Sequence, residues 1–223
     1  MADTQRKASS SLKTPIATPP EKMPEKAPAS LSLTSPTSLS MALRQGCQQA
    51  HMQIETVPMM AQLSEGMSVS AYQHYLCALY GYYQPLEHQL FGLSPEQRPH
   101  STVLQPKTPW LEHDLLASGL DQQAIAALPR CSQLPVLSSL ATAWGVHYVL
   151  EGAALGGRVL LRRVSHLAVA ANSRFLQGHG SDTGRYWQQL RQAMDSEVTP
   201  EQWPASLGSA LQTFATLETW LRR

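Results

Sequence analysis

The sequence predicts an all-α fold: one helical domain over residues 39–223, preceded by a disordered tail over residues 1–38. Three observations predict it. Past Leu39, apolar residues recur at three- and four-residue spacing, the period of a helix face. No stretch alternates apolar and polar residues long enough to make a strand. The tail is Lys, Pro, Ser, Thr and Ala with few large apolar groups, too little buried surface to offset the entropy of ordering it.

The helices can be taken in order. Leu43, Cys47, Ala50, Ile54 and Pro58 trace a stripe of period near 3.6, so residues 41–57 should form an amphipathic helix. Ser38 or Ser40 would cap it, and Pro58 would end or kink it. A second helix is expected over residues 71–91, capped by Ser70 and kinked at Pro85. Its tyrosines suit core and rim positions. Residues 91–109 carry four prolines and read as a loop. Thr108–Ala117 and Asp121–Leu128 read as short helices capped by Thr108 and Asp121. A long central helix follows, with Pro135 in its first turn and an apolar pattern that continues as far as Phe175. Glycines 178, 180 and 184 break the chain, and helices over 182–195 and 201–221 close it.

Bulk properties narrow the function. The 223 residues carry a net charge of +1, which gives no electrostatic case for nucleic acid or an anionic membrane. Apolar residues are 43% of the chain, enough for a core, yet no run reaches membrane-spanning length and no apolar leader opens the chain. The cysteines Cys47, Cys77 and Cys131 are odd in number and lack CxxC spacing, which argues for a reducing, cytoplasmic setting. In the tail, Lys7, Lys13, Lys22 and Lys26 could attract an acidic partner, but a solvated segment is the plainer expectation.

The most informative stretch is Trp144–Leu160, WGVHYVLEGAALGGRVL. Gly152, Ala153, Gly156 and Gly157 are spaced to share one helical face almost without side chains. Each interior glycine costs a helix about 1 kcal/mol relative to alanine. Something flat must gain from lying against bare backbone, or another helix must pack closely there; the pattern alone leaves both open. On the first helix, His51 sits beside the apolar stripe, one turn after Cys47 and one turn before Glu55. A neutral imidazole there is a good axial ligand for iron, with a carboxylate near enough to orient the ring. A lone histidine is also a common core residue. The other histidines fall on separate elements without metal-ligand spacing. Motifs for a serine nucleophile, a P-loop or a dinucleotide site are absent.

RQGCQQAHMQIE (Arg44–Glu55), YLCALYGYYQPLE (Tyr75–Glu87), YVLEGAALGGRVL (Tyr148–Leu160) and GHGSDTGRYW (Gly178–Trp187), in this order and spacing, resemble the heme oxygenase family, most of all its bacterial branch associated with bacteriophytochromes. The resemblance spans residues 41–221. It implies a helical domain that sandwiches heme between the first helix and the glycine-bearing helix. It also implies oxidation of heme, cofactor and substrate at once, with O2 and electrons from an external donor, a reductase or ferredoxin. The products would be biliverdin, CO and iron, the bilin serving a bacteriophytochrome as chromophore or the cleavage releasing iron. Carried over by motif, His51 is the proximal iron ligand with Glu55 beside it, and Gly152, Gly156 and Gly157 form the distal wall. Arg44 matches a propionate-binding position, and Arg185 in TGRYW is a second candidate. Arginine suits a carboxylate because its planar fork donates two bonds.

The sequence departs from the family at one place. Many members carry an Asp in the distal glycine motif to organise water, and the matching residue is Ala153. His147 or water held by backbone carbonyls would have to substitute. This departure supports an alternative reading, a non-catalytic heme-binding carrier or sensor. A third is a related helical protein with a different planar ligand and a structural His51.

Overall fold

A computed structural model of the chain describes residues 36–63, 67–100 and 104–223. Of the expected tail, only residues 36–38 fall within them. The described residues contain helices and no strand, as the periodicity predicts.

The first helix is two, α1 (Leu39–Gly46) and α2 (Gln48–Glu55). Ser38 caps α1, its hydroxyl accepting from Met41 N. The expected helix over 41–57 is interrupted at Cys47, whose ψ is −2°, although Cys47 N still donates to Leu43 O and His51 N to Cys47 O, each at 2.9 Å. The residue before it is Gly46, a poor helix former in an interior position. A Cβ there would lie 2.5 Å from Leu207 Cδ1, the movable end of a side chain. Pro58 opens a short α3 (Pro58–Ala61) at the position where a missing N–H costs least.

Helix α4 (Val69–Phe91) is capped by Ser68, not the expected Ser70. It runs through Pro85, which has no N–H to give the carbonyl of Gly81. That carbonyl instead accepts from Cys131 N at 2.8 Å. Gly81 also has no Cβ to meet Pro129 O, so the 129–131 segment lies directly on the helix. Helix α5 (Thr108–Ala117) matches its expected span, but Lys107 holds the cap position. The capping group comes from α4: Glu87 accepts from Lys107 N (2.6 Å), Thr108 N (2.9 Å) and Thr108 Oγ1 (2.6 Å). A carboxylate placed on the first free N–H groups of a helix is favourable in charge and in hydrogen bonding. Asp121 caps α6 (Gln122–Ala127).

Helix α7 (Leu140–Arg163) starts later than expected. Pro135 lies in the irregular chain before it, and Ser139 with Thr142 forms a capping box. It stays helical across all its glycines and ends at Arg163, short of Phe175. After it come α8 (Arg174–Gln177), α9 (Thr183–Glu197) and α10 (Trp203–Leu221).

Helix α10 packs along α7. Gly145 makes this possible, since a Cβ there would collide with Ser206 O. Ser206 Oγ donates to Ala141 O and Ser209 Oγ to Thr142 O, so both buried hydroxyls are satisfied across the seam. The core gathers Tyr72, Tyr82 and Tyr83 of α4 with Trp144 of α7, all fully buried. Two further carboxylates tie distant helices together. Asp114 of α5 accepts from Ser173 Oγ, Arg174 N and Phe175 N at the start of α8. Asp195 of α9 accepts from Ser40 N and Oγ in the first turn of α1.

Candidate functional site

His51 stands on α2 with 62% of its side chain exposed. Its Nδ1 is 3.6 Å from Glu55 Oε1, one turn on and beyond a good hydrogen bond, so Glu55 biases the ring without tying it down. On its other flank the imidazole meets Phe214 of α10 edge-on, with ring centroids 6.1 Å apart. The ring is therefore not a core histidine. Cys47, at the break one turn earlier, is buried, and burial pushes its thiol up to about 11, which leaves it a poor ligand at neutral pH.

Arg44 lies in the last turn of α1 and is exposed. Its charge reaches Tyr148 of α7. Burial, then Cys47, pushes that phenol up to about 12, and the Arg44 charge opposes the shift. Tyr148 in turn lies 5.6 Å from the ring of Trp187 on α9. Arg44, Tyr148 and Trp187 thus bring three helices, α1, α7 and α9, to one place.

The glycines of α7 divide into two groups. A Cβ on Gly152 would meet only Trp187 Cη2, at 3.8 Å, and one on Gly156 would meet nothing within 4 Å. Gly157 is different. It is buried, and a Cβ there would lie 2.6 Å from Leu176 O. Its partner is the backbone of α8, so the shared face expected of all three glycines belongs to Gly152 and Gly156. The physical reason is rotation: successive helical residues point about 100° apart. Ala153 is exposed and offers a methyl group where a carboxylate would give hydrogen bonds. Arg185 is 68% exposed, and its guanidinium pairs with Asp182 Oδ2 at 3.3 Å.

His147 does not stand in for the missing carboxylate on that face. It is 4% exposed, packed edge-on against Phe91 and Trp144. Burial brings its pKa down to about 4, with Glu151 opposing and Lys107 reinforcing the shift, so the ring is neutral at pH 7.

Sequence reasoning missed a polar cluster behind α7. Lys107 is 2% exposed, and its Nζ donates to Glu151 Oε1 at 2.7 Å and to Gln105 O at 2.8 Å. The ammonium also lies 4.8 Å over the ring of Trp110. Burial alone would raise the pKa of Glu151, but His179 and Lys107 outweigh it and hold the carboxyl below its usual range. Two signals were present: a glutamate inside an apolar helix, and a histidine between two glycines. What they touch is not written locally, because the partners come from three separate stretches.

Comparison with known proteins adds to this geometry. A family model described as heme oxygenase matches residues 37–223. No curated protein matches the chain. Among solved structures, heme oxygenase from Leptospira interrogans superposes with a TM-score of 0.62 at 19% identity, covering 83% of this chain and 98% of its own. The NO- and CO-bound heme oxygenase from Neisseria meningitidis gives 0.65 at 16% identity, covering 84% and 92%. Heme oxygenase-1 from the cyanobacterium Synechocystis sp. PCC6803, solved in complex with heme, gives 0.63 at 17% identity, covering 82% and 90%. At such identities these likenesses concern the fold.

Proposed function

The chain belongs to the heme oxygenase family, and from that membership we propose that it oxidises heme to biliverdin, CO and iron, using O2 and electrons from a reductase or ferredoxin. The observations that carry the reading are an exposed imidazole on α2 and a stretch of α7 with open space over Gly156 and only the edge of Trp187 near Gly152. A flat metal macrocycle needs both. Gly156, where a Cβ would have open space, leaves room for a ring to lie against backbone. A histidine nitrogen is a fitting donor for iron.

In this reading each residue has a physical task. His51 would hold the iron through a ring nitrogen, and Glu55 would orient that ring. Arg44 and Arg185 offer guanidinium groups to propionates; Arg185 must first give up part of its pairing with Asp182, a cheap exchange at an exposed site. Gly152 and Gly156 form the distal wall. Gly157 serves the same wall indirectly, by letting α7 settle on α8. When bound, heme supplies the redox chemistry, since its own meso carbon is what becomes oxidised. The bilin would serve a bacteriophytochrome as chromophore, or the cleavage would release iron. No helix among the described residues is long and apolar enough to cross a membrane; the proposed place of this chemistry is the cytoplasm.

Titrating hemin into the purified protein tests the proposal. A sharp Soret band followed by its decay under a reductant, with bilin absorbance growing in, is the expected result. No Soret band would overturn the heme reading. A band that persists under reductant would favour a heme carrier or sensor, the reading that the exposed methyl of Ala153 supports.

A further inference from the structure

His179 lies between Gly178 and Gly180, whose φ angles are 53° and 57°. Residues with a Cβ avoid that region, so the two glycines permit a turn that carries the histidine inward. Its side chain is 9% exposed. The ring stacks on Tyr186 of α9 at 3.5 Å and meets the edge of Trp110 of α5 at 5.2 Å. Its Nε2 is buried with no hydrogen-bond partner among the described residues. Glu151 Oε2 is 3.7 Å away, too far for a direct bond. Beside them is a cavity of about 10 Å³, lined in part by Glu151, Leu155, His179, Tyr186 and Trp187. That is room for about one water, and such a water needs polar partners of this kind. An orphaned buried nitrogen rarely persists without one.

We propose that His179 is a positioning residue: through a water shared with Glu151 it fastens α9 to α7, and so sets Trp187 against the bare backbone at Gly152. The carboxylate is well placed for this, because Lys107 holds its other oxygen at 2.7 Å and keeps it fixed. Tyr186 and Trp187 are adjacent on α9, so what locks the first fixes the second. Trp187 is the nearest group to the missing Cβ of Gly152 and also meets Tyr148. The consequence for heme rests on the proposed function; the fastening of α9 does not.

Two variants separate the nitrogen from the ring. His179→Phe keeps the stack on Tyr186 and loses the polar atom. His179→Gln keeps a polar atom and loses the stack. Both are compared with the native protein, after circular dichroism shows them folded, by backbone amide exchange over residues 183–190 of the apoprotein and by hemin titration. A hydrogen bond to a charged group corresponds to about a tenfold effect. His179→Phe should therefore exchange about tenfold faster and bind hemin about tenfold more weakly, and His179→Gln, which loses the stack that carries the link on to Tyr186, should be faster as well. Native-like exchange in His179→Phe with fast exchange in His179→Gln would overturn the proposal and leave ring packing as the only role. Native exchange in both variants would overturn it too. If both variants exchange faster as expected but no form, native included, binds hemin, the fastening stands and the heme reading fails.

Discussion

Lys107 Nζ and Glu151 Oε1 stand 2.7 Å apart, with 2% and 6% of their side chains exposed. An ion pair so far from water is weak evidence for net stability, because desolvating two charges offsets most of their attraction. Breaking it is another matter. Lys107→Met leaves a buried carboxylate without its counter-charge and should cost about 3–5 kcal/mol in urea unfolding at pH 7. Adding Glu151→Leu should recover most of that loss. A double variant as unstable as the single one would show that the pair is not what the substitution breaks.

His147 makes stability depend on pH in a defined window. Its pKa falls from 6.5 to about 4 on folding, so the unfolded chain takes up the proton first as the solution is acidified. The unfolded state binds more protons between those values, and stability falls as pH drops from about 6.5 toward 4. A shift of that size is worth about 3 kcal/mol. Glu151, held below its ordinary value, adds a loss that begins only below the usual glutamate range. Glu87 works the other way: burial raises its pKa, and its weaker stabilising hydrogen bonds leave that net direction, so its contribution improves on acidification. Unfolding free energies from pH 7 to pH 4 for native and His147→Gln proteins check the histidine, and the variant should show the flatter curve.

The glycines of α7 should respond oppositely to alanine. Gly156→Ala meets open space and raises helix propensity, so the apoprotein should gain about 0.5–1 kcal/mol while hemin binding weakens. Gly157→Ala drives a Cβ to 2.6 Å from the Leu176 carbonyl, a backbone atom that cannot swing aside. That variant should lose about 1–3 kcal/mol with or without hemin. Melting of the apoproteins alongside hemin titrations distinguishes the two. Equal destabilisation of both would mean that Gly156 also packs against protein.

His51→Ala removes a ring that is mostly in solvent. Apoprotein stability should stay within about 0.5 kcal/mol of native, as exposed positions usually do. The ferric heme complex should lose the spectrum of a histidine-ligated iron, and turnover should cease. An unchanged spectrum would move the ligand to another side chain.

Much of this was readable from the residues alone, and the remainder was not for physical reasons. The all-helical architecture follows from local periodicity and caps, and most helix spans fall within a few residues of their expected bounds. His51 and the open glycines were identifiable because their spacing along a helix is a local property. The break at Cys47 was not, because the apolar stripe of Leu43, Cys47, Ala50 and Ile54 runs straight across it. Gly157 looked like its neighbours until the backbone of Leu176 lay against it. Thr108 looked like a cap, but a carboxylate from α4 does the capping, and no local pattern announces a partner twenty residues upstream. The Lys107–Glu151–His179 cluster is the strongest case. Glu151 in an apolar helix and His179 between two glycines stand out locally, but what they touch appears only when three elements converge.

The interruption at Cys47 has a consequence for how ligand and segment depend on each other. It leaves His51 on an eight-residue helix whose one buried side chain is Ile54. Helices of that length do not persist in water by themselves. The order of α2 is borrowed from α1 and α10, and its outward side contributes little. A ligand gripping His51 would supply the contact that side lacks, so capture of the metal and consolidation of the segment become a single event. Part of the intrinsic affinity is then spent on ordering backbone. Measured binding will understate the strength of the iron–imidazole bond by that amount.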